Sequence, residues 1–173
     1  MRKNTTTKQS PGPDHNSGLH PPVRDIRDLI SYRIARFAAA NDRLGQLLFS
    51  QPFDIRMNQW RVLALIRALE PVGVRDIADE LQMDKGQLSR IGKTLIERGL
   101  IRADKGQGDL RTVNWRTTRS GKALYRRVFE FACKRNQSFM SKLTNEEVQT
   151  LLGVLNKMGA IVEESLLSET ESQ

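Results

Sequence analysis

Apolar residues recur at helical spacing over most of this chain and alternate in one stretch only. Ile26, Leu29, Ile30, Ile34, Phe37, Leu44, Leu47 and Leu48, with Arg33 among them, mark a mostly apolar face and predict a long helix over 24–49. Pro52 predicts a break over 51–55. Trp60, Leu63, Ala64, Ile66 and Arg67 repeat at helical spacing and predict a helix over 57–69, ended by Pro71 and Gly73. Two short helices follow, Val74 to Leu81 and Met83 to about Arg98. In the second, Leu88, Ile91 and Leu95 form one buried stripe, Asp84 and Gln87 have capping-box spacing, and Gly99 suits a C-terminal cap. The period then changes. Ile101, Ala103, Val113, Trp115 and Thr117 alternate with polar residues, as in strands with one buried face, around the turn-rich run Asp104-Lys105-Gly106-Gln107-Gly108-Asp109. Thr118 can cap a helix over 119–142. Thr144-Asn145-Glu146-Glu147 is a capping box opening a last helix to about Leu166. Val148, Leu151, Leu152, Leu155, Met158, Ile161 and Val162 give that helix one wide apolar stripe.

The polar positions give this pattern a use. Opposite its buried stripe, the helix opened by Asp84 carries Gly86, Ser89, Arg90 and Lys93, with Gln87 on the flank. That face is small enough for a major groove and offers hydroxyl and cationic donors to phosphates and base edges. Arg111 lies just past the hairpin tip, where a guanidinium can enter a narrow minor groove. Asp109, two residues away, is expected to orient an arginine within the hairpin. Charge placement agrees. Residues 84–127 hold twelve Lys and Arg against four Asp and Glu, an excess of eight that equals the formal +8 of the whole chain. An excess confined to reader helix, hairpin and the following helix is the footprint of a polyanion binder.

On these residues the chain resembles a known family. Asp109-Leu110-Arg111, followed at matching spacing by Thr118 and Gly121, is similar to the wing signature of the MarR family of winged-helix regulators. Met83-Asp84-Lys85-Gly86-Gln87-Leu88-Ser89-Arg90 resembles the start of that family's recognition helix, and Gln59-Trp60-Arg61-Val62-Leu63 its upstream helix. The resemblance runs from about residue 26 to 162. It departs at Trp115, where an aliphatic residue is usual, at Thr117, where Leu is common, and at Arg56, where Ser or Thr often caps the upstream helix. It implies a mainly α fold with a small β-hairpin wing, a winged helix-turn-helix flanked by N- and C-terminal dimerisation helices. It also implies a homodimeric, cytoplasmic DNA-binding regulator, a repressor on a palindromic operator in double-stranded DNA. The DNA-binding set expected is Lys85, Gln87, Ser89, Arg90, Lys93, Lys105, Arg111, Arg116 and Arg119, with Asp109 stabilising the wing.

Organisation follows from the same patterns. Residues 1–22, rich in Thr, Pro, Gly, Asn and Ser, are expected to form a flexible tail, as are 168–173. Residues 51–118 form the expected DNA-binding lobe, and 23–50 with 119–167 the dimerisation region, because terminal helices with spare apolar faces need a partner. Family members bind small, often phenolic or aromatic carboxylate effectors. Tyr32, Arg33, Arg36, Phe37, Trp60 and Arg61 are the candidate lining for a small aromatic anion; the alternative is core packing by the aromatics and support of phosphates or dimer by the arginines.

Other chemistry finds little footing. His15 and His20 are the only histidines and both lie in the expected tail, so no nucleophile–base set, metal or cofactor is expected, and no enzyme. No apolar run approaches the roughly 18 residues of a membrane span. The N-terminus lacks a signal-peptide core, and a single cysteine forms no internal disulfide, which fits the cytoplasm. Cys133 reads as a buried structural thiol; an oxidant sensor is the alternative. A winged-helix module binding a protein partner is the competing functional class.

Overall fold

The computed structural model describes residues 21–105 and 113–171. It divides into two compact units, one through Arg61 and one from Val62 onward.

The first unit opens with a single 3-10 turn, Ile26–Asp28, capped by the Asp25 side chain, which accepts from the Arg27 amide. Leu29 is extended, so the long helix α1 (Ile30–Phe53) starts six residues later than the apolar pattern predicts. It also runs through Pro52, where the sequence predicts a break. The proline falls in the last turn, where little helix remains for its missing amide to disrupt. Phe53 beyond it packs on Phe49 with ring centroids 6.1 Å apart. Asp54, in the left-handed region at φ 48°, ends the helix. Helix α2 (Met57–Leu69) begins without the hydroxyl cap that Arg56 displaces. Two glutamines take over: Gln59 Oε1 accepts from the Arg56 amide at 3.1 Å and Gln46 Oε1 from the Met57 amide at 3.2 Å. Phe49, Ile55 and Trp60 are buried, and the Phe49 and Trp60 rings stack at 6.4 Å.

The second unit takes up α2 at Val62. The chain continues through strand β1 (Val72–Gly73), helices α3 (Val74–Glu80) and α4 (Lys85–Glu97), strands β2 (Ile101–Lys105) and β3 (Val113–Thr117), and helices α5 (Arg119–Met140) and α6 (Asn145–Glu171). The sheet is antiparallel in the order β1-β3-β2, so the predicted hairpin gains a third strand, Val72 opposite Trp115 and Gly73 opposite Asn114. Leu88, Ile91 and Leu95 of α4 are buried with Ile77, Leu100, Ile101 and Trp115. The hairpin is buried at one end only: Ile101, Trp115 and Thr117 are inside, whereas Ala103 and Val113, expected on the same inner face, are exposed toward the tip.

Each helix boundary has a local cause. Asp84 Oδ1 accepts from the Gln87 amide at 2.9 Å at the start of α4, and Gly99, at φ 65°, ends it. Thr144 and Glu147 form the reciprocal capping box of α6, at 2.8 and 3.2 Å. With no Gly or Pro after Gly159 to stop it, α6 continues into 168–171, where the sequence suggests a tail. This arrangement, a mainly helical chain with two short helices leading into a three-stranded wing sheet, is a winged helix-turn-helix.

Candidate nucleic-acid interface

Helix α4 owes its orientation to its buried side. Leu88, Ile91, Gly92 and Leu95 point inward at helical spacing. Gly92 is required there by Trp115. A β-carbon at position 92 would overlap the Trp115 ring atoms Cζ2 and Cη2. The bulky residue of β3 that departs from the family pattern is thus matched by a missing side chain on α4. With that side fixed, Lys85, Gln87, Ser89, Arg90 and Lys93 all stand exposed on α4. Lys93 Nζ lies 3.9 Å from Glu97 Oε1, a pair so exposed that it restrains the lysine little.

The wing strands bear a second set of cations. Register puts Arg102 directly opposite Arg116 on the outer face, which is repulsive on its own. Asp104 Oδ2 relieves it, lying 3.4 Å from Arg102 and 3.3 Å from Arg116. Asp109 is the residue expected from the sequence to orient a wing arginine; among the described residues Asp104 pairs with these two. Asp109 and Arg111 lie outside the described residues. Lys105 closes β2, opposite Val113.

The wing is tied to α5 by the threonine and glycine of its signature. Thr118 Oγ1 donates to the Gly99 carbonyl at 2.6 Å, also lies 3.2 Å from the Leu100 carbonyl, and accepts from the Gly121 amide at 3.0 Å. A β-carbon on Gly121 would overlap the Leu100 carbonyl oxygen. One hydroxyl and one absent side chain therefore hold the end of α4, the start of β2 and the start of α5 together.

Glu70 is a site residue that sequence reasoning missed. Its side chain is 11 % exposed. Oε2 accepts from the Thr117 amide at 2.6 Å and the Thr117 hydroxyl at 2.7 Å. Oε1 lies 3.1 Å from Arg67 and 3.7 Å from Lys122. Burial alone would raise its pKa; the Thr117 hydrogen bonds, with Lys122 and Arg67, outweigh burial and hold it below the ordinary 4.5. The partners stand 47 residues apart, so no local pattern could signal the contact. Thr117 in place of the usual Leu was the one available hint.

Several side chains of the expected effector lining have partners within the chain. Trp60 is buried against Phe49. Arg61 pairs with Asp42 at 2.5 Å, and Arg33 with Asp28 at 3.2 Å. Tyr32 is half-buried, and Arg36 and Phe37 are exposed. Cys133, expected to be buried, is half-buried and unpaired by any disulfide.

An exposed reader helix, a cationic wing and the hydroxyl-pinned junction between them define a winged-helix DNA-binding architecture. Comparison with known proteins narrows the class. Residues 55–113 match the model of the MarR family. An uncharacterised HTH-type transcriptional regulator of Bacillus cereus is 28 % identical over 132 residues, covering 73 % of this chain and 84 % of that protein. The MarR/EmrR family regulator of Acinetobacter sp. ADP1 superposes with a TM-score of 0.76 at 26 % identity, over 81 % of this chain and 99 % of that one. The MepR protein of S. aureus, solved as a complex with DNA, superposes with a TM-score of 0.70 at 24 % identity, over 78 % of this chain and 98 % of that one. Residues 55–113 carry a MarR-family domain, and over most of its length the chain is similar to transcriptional regulators. Its relatives are regulators, not enzymes. No helix among the described residues is long and apolar enough to cross a membrane.

Proposed function

We propose that the chain is a sequence-specific, homodimeric repressor that binds a palindromic DNA operator in the cytoplasm and leaves it when a small aromatic anion binds. The exposed face of α4 carries this reading: its hydroxyl, amide and cations are held clear of the core by the Leu88–Leu95 stripe. Ser89, Arg90 and Lys93 enter the major groove, with Lys85 and Gln87 assisting. Arg111 enters the flanking minor groove, Asp109 steadies the wing, and Lys105, Arg116 and Arg119 meet or steer toward phosphates. That MepR was solved on DNA supports the mode of binding.

The lobe over 51–118 reads DNA, and 23–50 and 119–167 dimerise. Support for the dimer comes from apolar side chains left in solvent on both terminal helices. Leu47 of α1 is 74 % exposed and Leu167 of α6 is 67 %, with Ile30, Phe37, Leu152, Leu155, Ile161 and Val162 also exposed. For the effector, Arg36 and Phe37 offer an exposed cation and an exposed aromatic ring on α1, with Tyr32 nearby in sequence.

Fluorescence anisotropy on the chain's own upstream DNA and on a scrambled duplex, across a salt series, tests the reading. Salt-sensitive binding that favours the upstream DNA is expected. Equal binding to both duplexes removes sequence specificity, and no binding at low salt removes DNA recognition in favour of a protein partner.

A further inference from the structure

Within the second unit, Arg67 near the end of α2 and Arg119, Lys122, Tyr125 and Arg126 on α5 line an open groove of about 440 Å³. Its charge is unbalanced. Glu70 gives one oxygen to Thr117 and shares the other between Arg67 and Lys122. Among the described residues, Arg119 and Arg126 have no acidic partner. Helix direction sharpens the excess. Arg119 is the first residue of α5, whose first turn holds no acidic residue, so cations crowd the positive end of a helix. An anion entering the groove would meet several cationic donors at once. Tyr125, stacked on Phe129 at 5.2 Å, gives the groove a flat wall. The volume is that of a small-molecule site.

We propose that this groove binds a small polyanion carrying clustered phosphate or carboxylate charge. We also propose that occupancy is felt by the wing through Glu70. An anion that takes Arg67 and Lys122 withdraws both from Glu70 Oε1. The carboxylate is then left with the Thr117 donors alone, and its hold on the end of β3 loosens. The coupling rests on the DNA-binding reading above; the binding site does not.

The test is isothermal titration calorimetry of the full chain with pyrophosphate and with citrate at constant ionic strength, beside the double variant Lys122→Gln/Arg126→Gln. Both replaced side chains lie in solvent, and circular dichroism checks that the variant is folded; Arg126→Gln alone serves if it is not. At least one probe should bind the native chain, and the variant should bind it at least about tenfold more weakly. Pyrophosphate alone binding identifies a phosphate site, citrate alone a carboxylate site. No binding of either probe at millimolar concentration, or equal binding by the variant, overturns the site. Coupling is read separately by anisotropy on the upstream duplex. A saturating probe should weaken DNA binding several-fold in the native chain and not in the variant; unchanged affinity in both overturns the coupling. Calorimetric binding by a chain with no DNA affinity would instead remove the repressor reading and leave the site standing.

Discussion

At the scale of single residues, two positions carry tests that separate packing from charge. Gly92 yields its side chain to Trp115. Ala is the better helix former by about 1 kcal/mol, but overpacking costs about 1–3 kcal/mol. Gly92→Ala should therefore destabilise the chain in urea melts, and Trp115→Leu in the same molecule should recover most of the loss. If Gly92→Ala alone is as stable as the parent, the ring does not need that space. Glu70 tests charge. Because its folded pKa lies below 4.5, the ionised carboxylate stabilises the fold fully above that value. The contribution fades as pH falls from there through the lower folded value. Glu70→Gln should be less stable than the parent at pH 7, and the gap should close as pH drops below about 4.5. A gap independent of pH would trace the effect to shape rather than charge.

At the scale of elements, the junction of α4, β2 and α5 decides how reader and wing are held. Thr118→Ala removes a helix cap and the hydroxyl that donates to Gly99, so a loss of about 1–2 kcal/mol is expected in thermal melts, with Thr118→Ser restoring most of it. Equal loss in both variants would rule out the hydroxyl. Beyond the junction, Arg111→Ala should cost about 1–3 kcal/mol of operator binding and relax specificity at the flanking positions; unchanged anisotropy curves would remove the groove-reading role. Legibility in the sequence tracked how local each cause is. Helix α4 was readable nearly to the residue, because Asp84, its apolar stripe and Gly99 all act within the helix. Strand β1 is two residues long and exists because β3 offers it an edge, so no periodicity announced it. The early start and Pro52 break expected of the first helix failed for a similar reason. Asp25 organises a separate turn before it, and Phe53 packs back on Phe49 beyond the proline. The exposure of Lys85, Gln87, Ser89, Arg90 and Lys93 was legible because it follows from the buried stripe, whereas Glu70 and Asp104 act through partners set by tertiary register.

At the scale of the whole molecule, the exposed apolar row on α6 and the cationic reader make one joint prediction. Leu151, Leu152, Leu155, Ile161 and Val162 are 44–62 % exposed in the single chain. Fully burying such a side chain from water is worth about 1.5–3 kcal/mol, and covering this half-exposed row recovers part of that at each position, which favours association. Introducing charge there, as Leu152→Glu/Leu155→Glu, should yield monomers in sedimentation equilibrium. The consequence for DNA follows from counterion release. A dimer contacting about 6–10 phosphates loses roughly 10³–10⁵ in affinity between ~50 and ~200 mM salt. A monomer engages one half-site and about half as many phosphates, so the slope of log affinity against log salt should fall by about half. Specificity should fall with it, since a single reader no longer measures the spacing between half-sites. A variant that sediments as a monomer yet keeps the full slope and affinity would show that one chain suffices for DNA binding. The row on α6 would then need another partner. A variant that remains dimeric would move the interface to the exposed face of α1, where Ile30→Glu/Phe37→Glu makes the same measurement.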